Sequence, residues 1–161
     1  MNDSRVKLIV FHTVKPEWGL ITNKMVRAIK IWTRSEHYHT ELLIDDILIT
    51  SYIQEGVIFK KVDIIKYLED KNTIADIINI DIPHENIIHM LNFADLQKGK
   101  PYDWRGIFLS QFLPMRKENP NNWFCSEINT KLLQIGEPDP NKLPRHSSEY
   151  APCELYKVYK T

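Results

Sequence analysis

What this chain lacks narrows its class before any motif is read. It has no apolar run long enough to cross a bilayer, which takes about 20 residues of helix, so a spanning segment is not expected. Residues Met1 to Arg5 lead straight into the short apolar stretch Val6 to Phe11, and no small-residue cleavage site follows. No export signal is therefore expected, and the chain is expected to remain cytoplasmic. It has only two cysteines, Cys125 and Cys153, too few for a secreted disulfide framework. A reducing compartment leaves Cys125 free to react. Neither sign of charge is in excess: 21 Lys and Arg face 21 Asp and Glu, which gives no support to nucleic acid as a partner. There is no internal repeat, low-complexity tract or linker, so residues 1–161 are expected to form one domain with a real core.

Hydrophobic periodicity predicts the elements. Val6 to Phe11 reads as a buried strand, and Leu20 to Trp32 as a helix with Ile21, Met25, Ala28, Ile29 and Trp32 at helical spacing. Tyr38 to Ile44 alternates, with His39, Glu41 and Leu43 on one face and Thr40, Leu42 and Ile44 on the other. Asp45-Asp46 turns it into a returning strand, Ile47 to Tyr52. Gly56 opens a strand over Val57 to Val62, and Asp63 caps a short helix over Ile64 to Leu68. A strand over Ile74 to Ile82 ends at Pro83. A helix follows, with Ile87, Ile88, Leu91 and Ala94 on one side, and stops near Gly99. Trp104 to Phe112 reads as a second helical piece and Pro114 to Asn122 as a polar loop. An amphipathic helix starts at Cys125, runs through Ile128, Leu132, Leu133 and Ile135, and is closed by Gly136. Leu155 to Tyr159 is expected to be a last strand. The fold class is α+β: a small, mainly antiparallel sheet with helices packed on it.

The chemistry centres on Trp123-Phe124-Cys125-Ser126-Glu127. A thiol at a helix N-terminus meets unpaired amides and the positive end of the helix dipole, and both favour the thiolate. A free thiol, with a pKa of about 8.5, is mostly protonated at neutral pH. An imidazole that takes its proton leaves a thiolate–imidazolium pair able to attack an acyl carbon. His39, in His37-Tyr38-His39-Thr40-Glu41-Leu42, is the candidate. Three residues are candidates to orient it: Glu41 on the same strand face, and Ser51 or Thr50 on the returning strand. Glu41 is the strongest acceptor of the three. Charge developing on a carbonyl oxygen needs donors in place, and the Cys125 backbone N–H and the Tyr102 hydroxyl are candidates.

Gly99-Lys100-Pro101-Tyr102-Asp103-Trp104-Arg105-Gly106 resembles the Gly-x-Pro-Tyr-x-Trp-Gly-Gly segment of the NlpC/P60 superfamily of papain-like thiol enzymes, with Arg105 in place of the first paired glycine. Phe124-Cys125-Ser126-Glu127 resembles that family's Asp-Cys-Ser-Gly nucleophile segment, with Phe124 and Glu127 as departures. The histidine precedes the cysteine, the order of the circularly permuted branch with YiiX-like and lecithin:retinol acyltransferase-like members. His39 followed by Ser51 is similar in spacing to the acyltransferase-like members, although a histidine or an acid is usual where Ser51 stands. The set covers His39 to about Gly136 and is closest to small phage and bacterial members. The resemblance implies a permuted papain-like fold, no cofactor, and hydrolysis or transfer at an amide, ester or thioester of a peptide or lipid acyl substrate.

Two other functions compete. A catalytically idle binding module would keep the cleft without the chemistry. A zinc site would use His37, His39 and Glu41, with Cys125 as a fourth ligand. Trp104 and Trp123 are expected to be core aromatics, Cys153 a buried small apolar residue, and His12, His84, His89 and His146 surface or core histidines.

Overall fold

The computed structural model describes residues 5–12, 20–71, 73–103, 105 and 121–160. Apart from Arg105, the helical piece expected over 104–112, Trp104 included, lies outside the described residues, as does the polar loop up to residue 120.

Five six-residue strands form an antiparallel sheet. Its strands are β1 (Val6–Phe11), β2 (His39–Ile44), β3 (Ile47–Tyr52), β4 (Gly56–Lys61) and β5 (Ala75–Ile80), in the order β4-β3-β2-β1-β5. β1 lies at the junction, pairing Leu8 with Leu42 on one side and with Ile78 on the other. The β2–β3 hairpin turns at Asp45, whose φ of 54° is the left-handed conformation a tight turn needs. Arg5 braces that turn with two bonds to the Asp45 carboxylate, at 2.8 and 2.6 Å.

Strand alternation divides the core in two. Leu8, Val10, Leu42, Ile44 and Ile49 point to the face covered by α3 (His84–Gln97) and α4 (Cys125–Gly136). Ile9, Phe11, Leu43, Leu48 and Ile58 point to the other, where Val26 and Ile29 of α1 (Leu20–Thr33) and Ile64, Tyr67 and Leu68 of α2 (Ile64–Lys71) pack. Asp63 caps α2 as expected, its Oδ1 accepting from the Ile65 N–H at 3.0 Å.

Several elements differ from expectation. Residues expected as a last strand form a helix, α5 (Pro152–Lys160). Pro152 occupies its first turn, and the Glu154 carboxylate turns back to accept the Ala151 N–H at 2.9 Å. That one-sided cap and the proline together outweigh the strand preference of Tyr156, Val158 and Tyr159. In α3 the buried stripe is Ile87, Met90, Ala94 and Gln97, while Ile88 is about half exposed. In α1, Ala28 is exposed. α4 is less amphipathic than expected, since residues 125–130 are all buried. Gly136 does end α4, but not through a left-handed cap; a Cβ there would collide with Met90, so this glycine permits the close approach of α3.

The outer edge of β4 is clamped by the segment that leads into the site. The Val57 N–H donates to the Lys100 carbonyl at 2.8 Å, and the Gly99 N–H donates to the Val57 carbonyl at 2.9 Å. Gly56 makes this possible: its φ is +69°, and a Cβ there would overlap the Lys100 carbonyl. Gly56→Ala is therefore expected to destabilise the protein by more than about 1 kcal/mol, measured as a lowered urea midpoint at unchanged m-value.

Candidate active site

The chain reaches the site along that clamp. Beyond Lys100, the Trp123 N–H donates to the Pro101 carbonyl at 3.1 Å, and the Asp103 N–H donates to the Trp123 carbonyl at 3.2 Å. Trp123 is a core residue. Its indole N–H donates to Gln97 Oε1 at 3.1 Å, and its ring meets Phe93 edge to face at 5.9 Å. This short ladder delivers Phe124 and then Cys125, the first residue of α4, to the sheet. Phe124 contributes no side-chain cap, which leaves the first-turn amides without a side-chain acceptor there.

Cys125 and His39 lie side by side, close enough for each to shift the other's ionisation. They come from opposite faces: α4 covers one, and alternation sends the His39 side chain to the other. They meet at the start of β2, where His39 is the first strand residue. One turn further along α4, the Asn129 side-chain amide donates to the Thr40 hydroxyl at 3.2 Å and ties helix to strand beneath the sulfur.

The electrostatics of the pair are mutual. Burial, the largest single influence on Cys125, pushes the thiol up. It is outweighed by the charge and hydrogen bond of His39 and by the backbone groups of Thr40 and Ser126, and the net shift is downward. Burial likewise pushes the His39 imidazole down. The Cys125 thiolate and then Glu41 outweigh it and carry its pKa up to about 9. The two residues together thus favour thiolate and imidazolium. The His39 side chain is 13% exposed, enough to be reached from solvent.

The three candidate orienting residues separate by strand parity. Glu41 Oε1 lies 3.3 Å from His39 Nε2, and the Thr50 hydroxyl lies 3.4 Å from the same nitrogen while donating to the Thr40 carbonyl at 2.9 Å. Ser51 is not brought to the imidazole. One residue beyond Thr50, it points to the opposite face and donates to the Trp123 carbonyl at 2.7 Å, holding the loop that carries Cys125. Glu41 has no solvent exposure, and its carboxyl, pushed up by burial, is brought below its ordinary value by His39, Lys71 and Tyr52. Tyr102 is buried close enough to Cys125 for a thiolate to oppose ionisation of its phenol, which burial already pushes up, so it remains a proton donor.

Sequence reasoning missed Tyr52 and Tyr67, which both donate to Glu41, and Lys71, 3.8 Å from it. A signal existed. Ile64, Tyr67, Leu68 and Lys71 recur at helical spacing and put Tyr67 and Lys71 on the packed face of α2. His37 does not join the pair. Its Nε2 lies 3.8 Å from Asp76, as does that of His12, and its ring packs on Tyr156 at 4.1 Å. Among the described residues no group of three or more His, Cys, Asp or Glu side chains is arranged to hold a metal ion, and none of the helices is long and apolar enough to cross a membrane. Cys153 is buried in α5, its thiol pushed up by burial. No protein-family model, curated protein or solved structure matches the chain.

The placement of Ser51 has a measurable consequence. Ser51→Ala is expected to cost about 1 kcal/mol in chemical denaturation, because the Trp123 carbonyl keeps its bond from Asp103. The pH midpoint for alkylation of Cys125 should stay where it is. A displaced midpoint at unchanged stability would return Ser51 to the Cys125–His39 pair.

Proposed function

We propose that this protein is a cysteine-dependent hydrolase or acyltransferase acting on an amide, ester or thioester, with a papain-like fold of the permuted NlpC/P60 kind. The observation that carries this is the juxtaposition of Cys125, at the N-terminus of a buried helix, with His39, whose Nε2 lies 3.3 Å from the Glu41 carboxylate. The five-stranded antiparallel sheet, with the histidine strand ahead of the cysteine helix in chain order, supports the permuted arrangement.

The Cys125 thiolate attacks the acyl carbon, and a sulfur–carbon bond forms as the carbonyl π electrons move to oxygen. That oxyanion is met by the Cys125 backbone N–H and the Tyr102 hydroxyl. As the carbonyl re-forms, the bond to the leaving group breaks, and the His39 imidazolium supplies the leaving group's proton. Neutral His39 then takes a proton from water, or from an acceptor alcohol or amine. That nucleophile attacks the thioester, the acyl group departs, and the thiolate–imidazolium pair is restored. Nε2 faces Glu41, so Nδ1 serves the sulfur, and the carboxylate fixes the ring and stabilises its charged form. Peptides and lipid acyl groups are the substrate classes.

Iodoacetamide should alkylate Cys125 selectively near neutral pH and far faster than it alkylates the unfolded chain. Amide and ester acyl probes should label wild type, with labelling lost in Cys125→Ala and reduced about a hundredfold or more in His39→Ala. The resting enzyme needs the His39 imidazolium, so kcat/KM should fall as pH rises through about 9. Alkylation no faster than in the unfolded control would overturn the assignment.

A further inference from the structure

Glu41 receives hydroxyls from two elements outside its own strand. Tyr52, the last residue of β3, donates to Oε1, and Tyr67, from α2, lies 2.7 and 2.9 Å from the two carboxylate oxygens. The two hydroxyls are 2.6 Å apart. The Tyr52 ring also stacks on the His39 imidazole, with centroids 5.1 Å apart and planes inclined by 19°. Lys71, one turn after Tyr67, lies over both tyrosine rings, at 4.3 and 5.1 Å from their centroids. The groups facing Glu41 are thus His39 from β2, Tyr52 from β3, Tyr67 and Lys71 from α2, and Tyr38 from the approach to β2; Glu55 acts on Tyr67 from the β3–β4 turn.

A glutamate carboxylate has about four acceptor sites on a rotatable stem, so burial alone does not aim it at one ring nitrogen. α2 contains no fully buried residue, yet it sends Tyr67 onto a carboxylate with no solvent exposure at all. We propose that Tyr52 and Tyr67 are positioning residues for the Cys125–His39 pair, their hydroxyls holding Glu41 ionised and turned toward His39 Nε2. The proposal rests on the function assigned above and extends it to two residues that touch neither the thiol nor a substrate. Without the two donors Glu41 takes up a proton more readily, a neutral Glu41 stabilises the imidazolium less, and a weaker imidazolium stabilises the thiolate less. Loss of the hydroxyls therefore raises the pH at which Cys125 ionises.

The experiment is the rate of iodoacetamide alkylation at Cys125 against pH, resolved from Cys153 by peptide mass spectrometry. It compares wild type, Tyr52→Phe, Tyr67→Phe, the double variant and Glu41→Gln, each with its thermal midpoint recorded. Phenylalanine keeps both rings, so packing on His39 and beneath Lys71 is retained. The expected result is an upward displacement of the ionisation midpoint in Tyr67→Phe. The displacement should be larger in the double variant, in the same direction as in Glu41→Gln, and should lower the thiolate fraction below the midpoint by about threefold or more. If the double variant does not fold, the single variants decide by the same criterion. Tyrosine variants that lose stability while their profiles superimpose on wild type, with Glu41→Gln displaced, would overturn the positioning role and leave the assigned function standing. A wild-type midpoint at that of a free thiol, about 8.5, would overturn both.

Discussion

A carboxylate with no access to water sits at the centre of this protein. Burying the charge of Glu41 costs several kcal/mol unless it is surrounded by donors and a counter-charge. Here it has the hydroxyls of Tyr52 and Tyr67, the imidazole of His39 and the ammonium of Lys71 at 3.8 Å. These groups come from β2, β3 and α2, so the folded positions of three elements depend on one side chain. The same demand adds to the docking of α2, a short helix that packs Ile64 and Leu68 on the apolar core and brings Tyr67 and Lys71 to Glu41.

The second constraint is the alternation of β2. Successive residues divide between faces: Glu41 and Leu43 go toward α1 and α2, and Thr40, Leu42 and Ile44 go toward α3 and α4. The strand therefore serves both sides of the site. From one face it supplies the imidazole and its carboxylate. From the other it supplies the Thr40 hydroxyl that holds Asn129, while the Thr40 backbone group contacts the Cys125 sulfur. Cys125 and His39 come together where the strand begins, His39 being its first residue.

Legibility followed the range of the interactions. The strands and the Cys125 helix were readable because each announces itself through local periodicity and a turn or cap. The helix over Pro152–Lys160 was misread although its signal was present. Proline at a first helical turn and a glutamate returning to the Ala151 N–H outweigh three β-favouring side chains. Thr50 and Ser51 were left undivided because choosing between them requires the parity of β3 against β2, and one residue of register moves a hydroxyl to the opposite face. Gly136 was placed correctly for the wrong reason, since a helix–helix approach leaves no local trace.

By itself, the order of residues determined the cysteine at a helix start, the histidine and glutamate two apart on one strand face, and the α+β character. All three are matters of spacing along a chain with fixed periods of 2 and 3.6 residues. Tertiary structure alone decided that residues 39 and 125 come together, that Ser51 holds the Trp123 loop and not the imidazole, and that Tyr67 and Lys71 close around Glu41. Those contacts join residues far apart in the chain. They exist because buried polar groups must find partners wherever the fold brings them, and no local pattern encodes which partner that will be.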